Sequence, residues 1–118
     1  MKISLYTPFS IWYSKNKMWA HNQFRTYIPK EAQQVRDDLM IELKNELGDK
    51  KFKKEKVWIS LFIEKPDNRC DAVNFVDTLC DIIKKVIEVD DRWFSLKEVD
   101  WKIEKDHPKI FIKVQQNN

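Results

Sequence analysis

Apolar residues recur along this chain with two periods, and the change from one to the other marks the elements. Ala32, Val35, Leu39, Leu43 and Leu47 fall on one helical face and predict a helix over about 30–47. Pro29 stands just ahead of it, where a missing N–H costs nothing. Gly48 supplies a stop. A second helix is expected over about 73–87, with Val76, Leu79, Ile83, Val86 and Ile87 as its stripe and Phe75 and Ile82 beside it. Its polar face holds Asn74, Asp77, Asp81, Lys84 and Glu88. Asp71 lies just before the first turn, where exposed N–H groups and the helix dipole favour a carboxylate.

The other segments alternate. Residues 2–6 read as a short first strand, and 57–64 as a strand with Val57, Ile59, Leu61 and Ile63 on one face. Lys65–Asn68, with Pro66, ends that strand. Residues 96–104 place Val99, Trp101 and Ile103 on one side, and 109–114 place Ile110, Ile112 and Val114 inward. His107-Pro108 between them suggests a turn, so these two strands are expected to form a hairpin. Residues 8–28 show no clean period and read as a long loop, and the polar tail 115–118 is expected to fray. The fold class that follows is α+β: a small, mostly antiparallel sheet with two helices packed on it. The 118 residues suit one domain, 1–118.

Composition narrows the chemistry. With 5 Trp, 3 Tyr and 7 Phe in a chain 42% hydrophobic, a packed core is expected. No stretch is long and apolar enough for a membrane span, and the N-terminus lacks the pattern of a cleaved leader, so a cytoplasmic protein is expected. Cys70 and Cys80 make neither a disulfide framework nor a C-x-x-C pair. With only His21 and His107 beside them, at scattered spacings, a structural zinc site is not expected. A single glycine excludes Gly-rich phosphate loops.

Charge is unevenly placed. Residues 1–30 hold Lys2, Lys15, Lys17, Arg25 and Lys30, no acid, and many of the aromatics. Lys50, Lys51, Lys53, Lys54 and Lys56 form a second basic cluster. Between 67 and 91 the sign inverts, with Asp67, Asp71, Asp77, Asp81, Glu88, Asp90 and Asp91 against Arg69, Lys84 and Lys85. Basic, aromatic-rich segments suit a phosphate backbone with stacked bases. Carboxylates repel that backbone unless a divalent cation lies between, which is the combination a metal-dependent nuclease needs. The bland readings are a solubilising loop around core aromatics, a helix cap at Asp71, solvated helix faces at Asp77 and Asp81, and a turn at Asp90-Asp91. Trp93 and Trp101 read as core or subunit interface rather than as base-stacking groups.

The stretch NRCDAVNFVDTLCDIIKKVIEVDDRW, with FRTYIPKEAQQVRDDL upstream, resembles the RusA-type Holliday junction resolvases of bacteria and prophages. That family's pattern is Asp-x-Asp-Asn-x-x-Lys at a strand-to-helix junction, then an Asp-Asp pair. Its first Asp matches Asp71, its Asn matches Asn74, and its pair matches Asp90 and Asp91. Two positions depart: Val73 stands for the second Asp, and Asp77 for the Lys. A helical turn separates 73 from 77, so Asp77 could supply the carboxylate Val73 lacks, with Arg69 or Arg92 replacing the lost cation. The other reading is a worn site in a protein that binds branched DNA without cutting it.

The resemblance implies an endodeoxyribonuclease acting on four-way junctions as a two-fold homodimer. It implies Asp71 and Asp91 as catalytic groups, and Asp77 joins them if the site is rearranged. Asp71, Asp90 and Asp91 would hold Mg²⁺, with Mn²⁺ as an alternative. DNA would be held by Lys15, Lys17, Arg25, Lys30, Arg69 and Asn74, with the 50–56 cluster on the arms. A helix of about 15 residues is roughly 22 Å long, so its two acidic ends meet only if the chain folds back or a partner supplies one. A protein-interaction module built on exposed aromatics is the remaining alternative, with little salt dependence in DNA binding.

Overall fold

The computed structural model describes residues 1–14, 20–21 and 26–116, the side chains of residues 20, 21, 26 and 27 excepted. Strand β1 (Lys2–Pro8) leads to a 3-10 turn at Ile11–Tyr13 and two short paired strands, β2 (Ala20–His21) and β3 (Thr26–Tyr27). Then come α1 (Lys30–Leu47), β4 (Val57–Lys65), α2 (Val73–Ile87), a 3-10 turn at Asp91–Trp93, β5 (Phe94–Ile103) and β6 (Lys109–Gln115).

The four long strands form one mixed sheet in the order β1-β6-β4-β5. β6 is antiparallel to both β1 and β4, while β5 runs parallel to β4. The expected hairpin of the last two strands is therefore corrected: β5 and β6 are not neighbours, because β4 lies between them. The connection from β5 to β6 crosses the end of β4. There the Glu104 N–H donates to the Lys65 carbonyl at 2.7 Å, and the Lys109 N–H to Glu64 Oε1 at 3.0 Å.

Both helices cover one face of the sheet. Val57, Ile59, Leu61 and Ile63 of β4 and Ile110, Ile112 and Val114 of β6 are fully buried there. Leu39 and Leu43 of α1 and Phe75, Leu79, Ile82 and Ile83 of α2 close over them. These are the stripes expected from spacing. Gly48 ends α1 at φ 55, a left-handed conformation with no Cβ penalty for glycine, and its N–H donates to the Lys44 carbonyl.

The cover stops short of β5. In the parallel register Ile59, Leu61, Ile63 and Lys65 stand beside Leu96, Val99, Trp101 and Ile103, with Lys97 an extra residue between Leu96 and Glu98. These β5 side chains therefore face the helix side, yet Leu96, Val99, Trp101 and Ile103 are 50%, 40%, 46% and 45% exposed.

Candidate active site

β4, α2 and β5 form a crossover between parallel strands, which sets where the acidic residues fall. Asp71 lies where β4 has ended and α2 is about to begin. Asp90 and Asp91 lie at the far end, between α2 and β5. The fifteen residues of α2 separate the two ends by roughly 22 Å along the axis.

At the first end, Ala72 is the helix cap, in αR conformation and with no side-chain cap bond. The Asp71 backbone carbonyl, not its carboxylate, accepts from the Asn74 N–H at 3.1 Å. The expected capping role is thus not the one the carboxylate performs. It is exposed and borders a cavity of about 360 Å³ that Lys65, Asn68, Val73, Val99 and Trp101 also line. Val73, in place of the family's second Asp, is 70% exposed on that rim. Asn74 is half-buried in the first turn.

Arg69 projects into solvent and pairs with Asp67 at 2.6 Å. Hydrogen bonds from the Arg69 side chain and N–H hold the Asp67 carboxyl below its ordinary range. Arg69 is therefore already engaged by a carboxylate of its own loop.

At the second end, Asp90 accepts from the Arg92 N–H at 3.0 Å and caps the 3-10 turn. That bond, with Asp91 and the Arg92 side chain adding to it, holds the Asp90 carboxyl below its ordinary range. Arg92 Nη2 lies 3.5 Å from Asp90 Oδ2. Asp91 is exposed beside it. Midway along α2, burial pushes the Cys80 thiol up to about 11, and the negative charges of Asp77 and Asp91 push it the same way.

Among the described residues, no three His, Cys, Asp or Glu side chains lie close enough to hold an ion. Asp90 and Asp91 are neighbours in one turn, while Asp71 lies at the other end of α2 and Asp77 one turn into the helix. Lys30 is exposed at the start of α1. Lys15, Lys17 and Arg25 lie outside the described residues.

Two charged residues were missed as site elements. Arg36, buried in α1, bonds Asp81 of α2 and ties the helices together. Asp81 is partly buried, which works to raise its carboxyl. The bond and charge of Arg36, with Lys85 beside it, outweigh that and hold it below its ordinary range. The spacing signal was present, since 32, 36, 39 and 43 share one helical face. Lys65 is the second. It continues the inward alternation of 57, 59, 61 and 63 by one more step, and is buried. Reading it as the start of the turn hid it.

No curated protein matches the chain. Among protein families, Endodeoxyribonuclease RusA matches residues 8–115. With the strand-to-helix junction at Asp71 and the Asp90-Asp91 turn inside that span, the chain belongs to the RusA family of endodeoxyribonucleases.

Proposed function

We propose that this protein is a Mg²⁺-dependent junction resolvase that works as a two-fold dimer and hydrolyses one phosphodiester in each of two symmetric strands of a four-way junction. The observation that carries the reading is the bare face of β5. Leu96, Val99, Trp101 and Ile103 form an apolar row on an edge strand, and Val99 and Trp101 run on into the cavity of Asp71. Exposed edges of this kind pair with another chain. A second copy fits by symmetry, because a two-fold axis presents the same patch to itself.

Antiparallel pairing of two β5 strands about such an axis sets the start of one against the end of the other. The end of β5 lies beside Lys65, since Ile103 is its register partner. Asp71 would then face Asp91 of the partner subunit, and the separation along α2 would no longer matter. Carboxylates at that junction suit a hard divalent cation, which would neutralise phosphate charge and activate a water. Asp90 stands beside Asp91 in the same turn and would join that half of the site, Asp71 would supply the other, and Asp77 lies one turn into α2 between them. The Lys30 end of α1, the basic N-terminal segment and the 50–56 cluster would hold the DNA arms through phosphate contacts, with affinity falling steeply in salt.

Mixing two inactive variants tests this directly. Asp71→Asn and Asp91→Asn are each expected to lose cutting of a synthetic four-way junction in Mg²⁺ or Mn²⁺ by about 10²-fold or more. In a mixed dimer, one composite site carries both changes and the other carries neither. Mixing should therefore restore single nicks. If each site lies within one protomer, mixing restores nothing. Tight junction binding with no nicks from the wild type in either metal would leave the second reading, a DNA-binding relative with a worn site.

A further inference from the structure

Lys65 breaks the pattern of its own strand. The inward side of β4 is apolar at Val57, Ile59, Leu61 and Ile63, then ends in an ammonium that is 2% exposed. Burying such a charge costs several kcal/mol even after relaxation. A leucine there would continue the strand at no such cost. Among the described residues, no carboxylate pairs with Lys65 in a salt bridge. Its Nζ instead donates to the Cys70 carbonyl at 2.9 Å and to Asn68 Oδ1 at 3.2 Å, and lies 3.8 Å from the centre of a Trp101 ring. These contacts join three places: the end of β4, the loop that delivers Asp71, and the bare face of β5.

We propose that Lys65 is the positioning residue of the Asp71 site, holding the residue just before Asp71 by its carbonyl and locking that loop against Trp101 of β5. The proposal rests on the reading that Asp71 acts in DNA cleavage. Lys65 is too deeply buried to reach a phosphate, so its work is done through Cys70 and Trp101. A carbonyl bonded to an ammonium and a desolvated cation over an indole are both strong contacts, which suits a loop that must not drift. A displacement of about 1 Å at a reacting group can cost about 10²-fold in rate. The arrangement also makes Asp71 sensitive to whether β5 is seated, since Trp101 belongs to both the lock and the proposed interface.

The test separates rate from binding. Junction affinity is measured by fluorescence anisotropy in Ca²⁺, and the single-turnover cutting rate at saturating protein in Mg²⁺. Lys65→Met is expected to lower the saturated rate by about 30-fold while junction affinity stays within about threefold, the signature of a misplaced group rather than lost binding. Lys65→Arg keeps a donor and a cation over the indole, and should recover to within about fivefold of wild type. A Lys65→Met rate within about twofold of wild type, or a rate loss matched by an equal loss of affinity, overturns the proposal. Should the Met variant not fold, Lys65→Gln decides in its place. A rate about tenfold below wild type is expected there, and a wild-type rate overturns the proposal. A wild type that cuts no junction sinks the nuclease reading itself, whereas a wild type matched by Lys65→Met sinks only the role of Lys65.

Discussion

β4 and β5 lie side by side, run the same way and carry similar alternation, yet their helix-side faces meet opposite fates. Ile59, Leu61 and Ile63 are sealed under α1 and α2, while their register partners Leu96, Val99 and Trp101 stand half in solvent. The helices account for the difference. Their side chains close over the inner strands, and β5 is left over. Alternation therefore reports which way a side chain points and not what it meets. What it meets is decided by whether an element of this chain, or of another, lies above it.

The largest expected effect measures the sealed side. Leu61→Ala should cost about 2–5 kcal/mol, because a core that is already closed collapses poorly around the lost atoms. In a chain of this size that is a fall on the order of 10 °C or more in Tm. Val99→Ala, its neighbour across the strand pair, should cost less than about 1 kcal/mol in dilute protein, where β5 has no partner above it. Equal costs in thermal melts would mean that β5 is covered in the isolated chain, and the comparison would fail.

The next effect measures the bare side by its association. Trp101→Glu places a charge in the middle of the apolar row and should weaken self-association by more than about tenfold, since desolvating an unpaired carboxylate opposes the contact. Sedimentation velocity over a range of concentrations reads it directly. The melting of dilute protein should fall by what the Trp101 indole contributes over the Lys65 ammonium, so Leu96→Glu, at the other end of the row, is the control whose dilute melting should hardly change. An unchanged association constant would remove β5 from the interface and, with it, the route by which Asp91 of the partner subunit reaches Asp71.

The two helices were legible to the residue, because the stripes of 32–47 and 76–87 are long, and Gly48 supplies the stop of the first. The inward faces of β4 and β6 were legible for the same reason. Strand order was not. Nothing local in 96–114 says that a strand formed forty residues earlier will lie between the two, and His107-Pro108 reads the same in a hairpin as in a crossing. The acidic residues were legible as a set through the resemblance, while their placement at opposite ends of α2 follows from the crossover. Lys65 was hidden because Lys-Pro-Asp-Asn has the composition of a turn, so a buried ammonium and a solvated one look alike in one dimension.

The smallest effect tests the sealed side by its charge, where it differs most from Lys65. Arg36 is buried between α1 and α2 with the Asp81 carboxylate on it, while Lys65, equally buried, answers to a carbonyl, an amide oxygen and an indole. The folded Asp81 carboxyl sits below its ordinary range, so its contribution to stability is full above the unfolded value near about 3.9 and fades as pH falls through the lower folded value. The Asp81 side chain is 41% exposed, which screens the pair. Asp81→Asn should therefore cost about 1–2 kcal/mol at neutral pH, below the loss typical of breaking a fully buried pair. The gap between wild type and variant in urea midpoint should hold from pH 7 to about 5 and narrow below about pH 4. Lys65→Met should show a weaker narrowing, because among the described residues no carboxylate forms a salt bridge with that ammonium and Asp67 feels its charge only as a minor influence. A gap that stays constant down to pH 3 for Asp81→Asn would mean that its loss is one of packing. The two buried cations would then differ in their partners without differing in how their contribution responds to acid.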